Sequence, residues 1–336
     1  MRKTKNILLA HGSGGRLTHE LINKIIVPKF SNKALNSLDD AAEISNKKGN
    51  IAFTTDSFVV DPIFFDNGDI GKLSICGTVN DLAMKGAEPI AISIAAIIEE
   101  GLGLKILEKI IDSAAKTARQ AGVKIVTGDT KVVEKGKADK IFLTTSGIGI
   151  INKKTKLSGS FAKNGDAVII NGTIGDHGIS VLAARNDFKL KTKIKSDCAP
   201  LNGIVSRLLK STENIHVLRD PTRGGIATTL NEIAKASNVG IIISEIDLPI
   251  RNNVKTACRI LGLDPLYVAN EGKFIACLPG NNASKALNIL RKHPYGKNSK
   301  EIGKVVKYPK GVWVKTKAGG LRPVVMLEGN QLPRIC

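Results

Sequence analysis

Apolar residues along the chain form two kinds of pattern: short continuous runs that read as buried strands, and longer stretches at three- and four-residue spacing that read as helices. In the first half, Ile51 to Thr55 predicts a strand, about Gly71 to Lys85 a helix, and Ile90 to Ile98 a long apolar strand. Leu107, Ile110, Ile111, Ala114, Ala115 and Ala118 recur at helical spacing and mark an amphipathic helix that stops near Gly122. Val123 to Val126 and Ile141 to Ile151 add strands. A lysine-rich, turn-rich stretch, Asn152 to Gly165, then separates the halves. In the second half the strand candidates are Ala167 to Ile170, Gly240 to Ile243, Phe274 to Leu278 and Val312 to Val314. The helix candidates there are Pro200 to Lys210, Ile226 to Ala236 and Ala283 to His293. Two α/β or α+β domains are expected, residues 1–155 and 156–328, with a flexible tail over residues 329–336.

Composition narrows the class. The 336 residues are 42% hydrophobic and 24% charged, as in an ordinary globular protein, and no segment reaches membrane-spanning length. The apolar run at the start, Ile7 to Ala10, is too short for a secretory signal. Five cysteines with no C-x-x-C pair argue against a disulfide framework or a thiolate zinc site. A soluble, cytoplasmic protein is expected, with no membrane partner. The net charge of +20 raises nucleic acid as a partner. The charge, however, is mostly lysine spread along the chain, and aromatics are only 4%, so a solvated basic surface is the better reading and no specific nucleic-acid function is expected.

Against that basic background the carboxylates stand out. Asp39-Asp40 precedes Ala41-Ala42, Asp56 follows Thr54-Thr55, Asp81 lies in Asn80-Asp81-Leu82-Ala83, and Asp129 in Gly128-Asp129-Thr130, each at the expected end of a strand or start of a turn. Gathering several of them needs a compensating cation, and carboxylate oxygens suit Mg²⁺. Within the helix predicted near Gly71 to Lys85, Cys76, Val79, Leu82 and Ala83 share one face at about 100° per residue while Asp81 points nearly opposite, free for a ligand. Any single Asp is as well explained by a cap or Asx-turn.

Two glycine-rich segments suit anions. His11-Gly12-Ser13-Gly14-Gly15 has the composition of a phosphate cradle or of a plain turn. Arg219-Asp220-Pro221-Thr222-Arg223-Gly224-Gly225 leads into the helix predicted from Ile226, either as an anion site with Arg223 or as an ordinary capped start. Neither the P-loop motif nor the dinucleotide-binding G-x-G-x-x-G after a strand is present. Asp176-His177-Gly178 fits a structural cap or an acid–base group equally.

The chain ends in Leu332-Pro333-Arg334-Ile335-Cys336. A thiol at that position reads as a covalent carrier or as a frayed end. Its ordinary pKa near ~8.5 leaves it mostly protonated, and Arg334 is a candidate to assist it. Residues 329–336 would span roughly 25 Å at about 3.3 Å per residue, enough to swing between two active sites, with Pro333 stiffening the arm.

Taken together, His11 to Gly15, Asp39-Asp40-Ala41-Ala42, Thr54-Thr55-Asp56-Ser57, Cys76-Gly77-Thr78-Val79-Asn80-Asp81-Leu82-Ala83, Thr127 to Val133 and the Pro-Arg-Ile-Cys end resemble the carbamoyl dehydratase family of nickel–iron hydrogenase maturation. That family lies within the aminoimidazole-ribonucleotide-synthetase-like ATP-binding superfamily, and the resemblance covers essentially the whole chain. Leu38 stands where superfamily members often have Gly. The resemblance implies a two-domain fold of that superfamily, in which the N-terminal sheet domain pairs in a homodimer and an α/β C-terminal domain lies beside it. It implies a carbamoyltransferase partner that loads Cys336, ATP-dependent conversion of the S-carbamoyl group to S-cyanate, and delivery of cyanide to an iron-carrying scaffold complex. It implies Cys336, Lys131 and Glu271 as catalytic residues. ATP contacts fall to Gly14, Gly15, Asp39, Asp40, Asp56, Asn80, Asp81, Asp129, Thr130, Arg223 and Gly224, and Mg²⁺ ligation to Asp40, Asp56, Asp81 and Asp129.

Other readings remain distinguishable. A selenophosphate synthetase shares the Asp-Pro-Thr-Arg-Gly-Gly segment but places its reactive Cys or selenocysteine in an N-terminal loop, whereas the first cysteine here is Cys76. Thiamine-phosphate kinase has no use for a C-terminal thiol. A non-catalytic, tail-presenting scaffold would show no ATP-coupled change at Cys336.

Overall fold

The computed structural model describes residues 15–26, 35–46, 49–185, 193–327, 329, 332 and 334–336. Two sheets organise it. The N-terminal sheet has the order β1 (Ala42–Asn46), β2 (Gly49–Phe58), β7 (Ile141–Ile151), β5 (Ala87–Glu99), β6 (Lys124–Val133), all antiparallel except the β5–β6 pair. Two short strands, β3 (Phe64–Phe65) and β4 (Gly68–Asp69), form a separate hairpin before the first long helix. Along β7 burial alternates strictly, odd-numbered residues inward and even-numbered outward, so only one face of this sheet is covered.

The covered face carries two helices, which we label α2 (Ile70–Met84) and α3 (Leu104–Ala121), after a short α1 (Arg16–Leu21). Asp69 caps α2 by accepting the Lys72 N–H at 3.0 Å, and α3 ends on Gly122 in the left-handed region (φ +70°). The one-face pattern expected for α2 is not observed. Ile70–Met84 is buried nearly all round, because one side packs on the sheet and the other on the C-terminal half, and only Lys72 and Asp81 are not fully enclosed. Asp81 is nevertheless turned toward a cavity between the halves.

The second sheet has the order β14 (Leu321–Val324), β13 (Gly311–Lys315), β10 (Gly240–Ser244), β12 (Lys300–Val306), β8 (Asp166–Ile170), β11 (Ile275–Pro279), β9 (Val217–Arg219). Around it lie α4 (Asp176–Ala184), α5 (Asn202–Ser211), α6 (Gly225–Ala236), α7 (Asn252–Leu261) and α8 (Ala283–Arg291). Its apolar residues sort into two clusters, one centred on Ile226, Leu230 and Ile241, the other on Leu208, Phe274 and Leu290, as expected for a sheet sandwiched by helices. Strands β1, β3, β4, β9, β12 and β14, which the apolar pattern does not predict, are short or rich in charged residues. Helices α4 and α7 were likewise not anticipated.

Candidate active site

A cavity of about 210 Å³ opens between the two halves. Each wall comes from a different element. Strand β2 supplies Asp56, the segment before β1 supplies Asp40, and α2 supplies Gly77 and Asp81. The end of β9 supplies Arg219 and the β9–α6 connection Asp220, Thr222 and Arg223; Glu271 lies in the segment leading into β11, and Cys336 comes from the tail. Gly77 is required by contact: a Cβ there would sit 2.8 Å from the Phe58 ring and 3.4 Å from Asp56 Oδ2.

The cavity floor is acidic. Asp40, Asp81 and Asp220 each offer a carboxylate oxygen within 4.8 Å of the others, and Thr54 Oγ1 orients Asp81 by donating to Oδ2 at 2.7 Å. Burial pushes the carboxyls of Asp40 and Asp81 well above the usual range; Arg219 opposes this at Asp40, while Asp56 and Asp220 add to it at Asp81. Burial likewise pushes Asp220 up to about 7, opposed by Arg219 and reinforced by Asp56. Hard oxygen donors enclosed together at such electrostatic cost fit a divalent cation such as Mg²⁺. Arg219 bridges the edge of the cluster, its Nε 2.9 Å from Asp40 and its Nη2 2.6 Å from Glu232.

The structure redistributes several expected roles. Asp39 turns away from the cavity: Lys85 Nζ sits 2.8 Å from its Oδ2, and Ser158 Oγ and Gly159 N–H donate to its Oδ1 at 3.0 Å each. Its carboxylate is fully occupied in joining the halves. Asn80 is also structural, since its amide donates to the Ala199 and Glu271 carbonyls and accepts the Leu201 N–H. Gly15 does not face the cavity but abuts Leu327, whose carbonyl oxygen would lie 2.1 Å from a Cβ; Gly14 lies outside the described residues. Gly224 starts α6 with φ +74° and packs on Thr228. Asp56 sits inside β2 and Asp129 inside β6, not at their ends, because both strands run further than their apolar cores. Asp129, Thr130 and Lys131 are exposed along β6 and take no part in this chain's cavity; Lys131 pairs with Asp129 at 3.3 Å. Asp220, absent from the expected ligands, joins Asp40 and Asp81 in the acidic cluster. The only signal for it lay in the Arg219 to Gly225 segment, read there for its arginine and glycines.

The tail is docked. Val59 N–H donates to the Cys336 carbonyl at 3.0 Å and Asp61 N–H to the Arg334 carbonyl at 3.1 Å. Arg334 does not assist the thiol: its guanidinium donates to the Val59 carbonyl and pairs with Asp139. The cation whose charge acts on Cys336 is Arg223 at the cavity mouth. Burial still pushes the thiol up to about 12, against Arg223 and with help from Glu271 and Asp56. Pro333 lies outside the described residues. Glu271 is buried, its Oε1 has no hydrogen-bond partner among the described residues, and burial raises its carboxyl well above the usual range. Cys76, Cys198, Cys258 and Cys277 are all buried in the core.

An N-terminal sheet domain covered on one face and a sandwiched C-terminal domain with a carboxylate-lined cavity between them define the class. Residues 38–151 match the family described as AIR synthase related protein, N-terminal domain, and residues 163–315 match the corresponding C-terminal domain. Within that class the chain belongs to the HypE family of carbamoyl dehydratases. It is 45% identical to carbamoyl dehydratase HypE of Cupriavidus necator, with 99% of this chain and 96% of that protein covered. To the Escherichia coli K12 HypE it is 42% identical, with 98% and 99% covered. Its structure superposes on HypE in complex with ATP with a TM-score of 0.83 at 48% identity, covering 98% of this chain and 100% of the other. On the HypE chain of a HypE–HypF complex the TM-score is 0.87 at 49% identity, covering 91% and 99%. Among the described residues no helix is long and apolar enough to cross a membrane.

Proposed function

We propose that this protein dehydrates an S-carbamoyl group on its own Cys336 to an S-cyanate, consuming ATP, as a step that supplies cyanide for hydrogenase iron. The observation that carries this is the position of Cys336: the terminal thiol lines the same cavity as the acidic cluster and Glu271. A substrate carried on the tail would therefore be delivered to the site by the docking already described.

Turning R–S–CO–NH₂ into R–S–C≡N removes one oxygen and two N–H protons. ATP, once bound, supplies a phosphoryl group that makes the departing oxygen a phosphate, and Mg²⁺ held by Asp40, Asp81 and Asp220, with Asp56 beside them, supplies compensation for phosphate charge. The rest falls to the chain. Glu271, with its unpartnered Oε1 and a carboxyl made more basic by burial, is suited to take an N–H proton when ionised. Arg223 places positive charge beside the thiol end, and the tail contacts hold Cys336 in reach.

Asp129, Thr130 and Lys131 would enter through a second copy of the chain. β6 is a ten-residue edge strand, exposed along almost its whole length, and Ile97, Ile148 and Ile150 leave an apolar surface on the open face of the same sheet. Such an edge and patch ask for a partner, and a second copy of the same sheet would cover both. In that homodimer Lys131 is available to the neighbouring cavity. Loading of Cys336 is assigned to a carbamoyltransferase partner, for which the HypE–HypF assembly is the precedent, and cyanide delivery to an iron-carrying scaffold; a cytoplasmic setting follows from that assignment. Mass analysis of the C-terminal peptide tests the reaction: after loading, ATP should cause loss of one water from the Cys336 adduct. Loss without ATP, or an adduct on another cysteine in Cys336→Ala, would sink it.

A further inference from the structure

His177 is the second residue of α4, fully buried, and none of the roles above uses it. Its Nε2 lies 2.8 Å from the Ile335 carbonyl oxygen, and its Nδ1 lies 2.9 Å from Ser196 Oγ. A carbonyl can only accept, so Nε2 carries the proton and Nδ1 accepts from the Ser196 hydroxyl. Ser196 Oγ in turn accepts the Cys198 N–H at 3.1 Å, which leaves its own hydrogen for the imidazole. The tautomer is fixed by its partners. Burial holds the ring's pKa below its ordinary value, with Asp197 opposing and Lys273 reinforcing, so the ring stays neutral.

The geometry of the tail explains why this contact matters. Arg334 lies in the left-handed region (φ +51°), and successive carbonyls of the docked tail find partners on different sides. Those of Arg334 and Cys336 face the Val59 to Asp61 segment and take its N–H groups, and Arg185 adds a second donor to the Arg334 carbonyl at 2.8 Å. The Ile335 carbonyl between them faces the C-terminal half, where His177 meets it. Ile335 itself is buried, so this carbonyl has no recourse to water. Gly178 completes the fit, since a Cβ there would lie 2.5 Å from Val268 Cγ1 and 3.3 Å from Leu332 Cδ1.

We propose that His177, oriented by Ser196, is a latch for the Cys336 tail: a positioning residue that fixes the docked register from the C-terminal half and has no part in loading. The assignment of a step that needs the docked tail rests on the function proposed above. The latch itself does not, because it is read from the accessibility of the thiol.

The test compares iodoacetamide alkylation of Cys336, followed by mass analysis of the C-terminal peptide, in the full-length protein and its variants. One buried hydrogen bond of ordinary net worth changes a docking equilibrium about fivefold to tenfold. Alkylation should accelerate by about that factor in His177→Phe, which keeps a ring but loses the donor, and should return toward the wild-type rate in His177→Gln, whose amide restores an N–H. Ser196→Ala, which frees the tautomer, should accelerate it about twofold. Carbamoyl loading should not slow in any of them, and ATP-dependent conversion of the adduct should slow in step with the alkylation change. Equal alkylation rates in wild type and His177→Phe overturn the latch; if that variant does not fold, equal rates in wild type and Ser196→Ala do so. A wild-type adduct that ATP leaves unchanged refutes the proposed dehydration, while the alkylation contrast still decides the latch.

Discussion

Replacing Asp39 and Asp40 one at a time separates two neighbouring carboxylates that the fold sends to opposite tasks. Asp39 and Lys85 form an ion pair with side chains only 6% and 8% exposed. In Asp39→Asn the amide oxygen can still accept from Ser158 and Gly159, which turns its NH₂ toward the Lys85 ammonium. That ammonium then keeps only the Leu157 carbonyl at 3.1 Å and the more exposed Glu43 at 3.7 Å. Removing one partner of a buried pair costs about 3–5 kcal/mol; with Glu43 nearby, about 2–3 kcal/mol is expected. At roughly 2–4 °C per kcal/mol, the melting temperature should fall by about 5–10 °C. Mg²⁺-nucleotide affinity, read by calorimetry, should stay within about twofold, because no cavity-lining group has changed. Asp40→Asn should shift the balance: affinity weaker by about tenfold or more from the loss of one hard anionic ligand, with a smaller fall in melting temperature, since burial already disfavours its charged form and Arg219 keeps Glu232 at 2.6 Å. Asp39→Asn that melts like the wild type but loses nucleotide affinity would refute the division of labour.

Burial pushes the Asp220 carboxyl up to about 7 from its ordinary 3.8, so the native state retains a proton that the unfolded chain releases. Its contribution to metal-free stability is therefore lost as pH rises from about 4 through about 7, and Asp220→Asn should melt like the wild type at pH 5 but higher at pH 8 in chelator; a variant less stable at pH 8 would contradict this. Ile97→Glu with Ile148→Glu on the open face of the N-terminal sheet should convert a dimer to a monomer in sedimentation, and an unchanged oligomer would place the interface elsewhere. Lys131→Ala and Glu271→Gln should both accept the carbamoyl group and then stall before water is lost. Cyanate formation at the wild-type rate in either variant removes that residue from the chemistry.

Local pattern determined much of the fold on its own. The β7 boundaries, Ile141–Ile151, and the α3 terminus at Gly122 agree with the sequence reading, because a period-two or helical repeat and a left-handed cap are properties of neighbouring residues. The terminal thiol, the acidic motifs and the family resemblance were likewise carried by contiguous residues. What the sequence left open is which side chains meet. Asp39 and Asp40 are indistinguishable in the chain, yet only one extended backbone step sends one to Lys85 and the other to the cavity. Asp220 and Asp129 both sit in plausible motifs, and only the approach of the β9–α6 connection to α2 places Asp220 beside Asp81 within this chain. His177 offered no local clue, since its partner lies 158 residues away. Such choices depend on how two sheets and a tail pack against one another, and packing is fixed by contacts distant in sequence that no local period encodes.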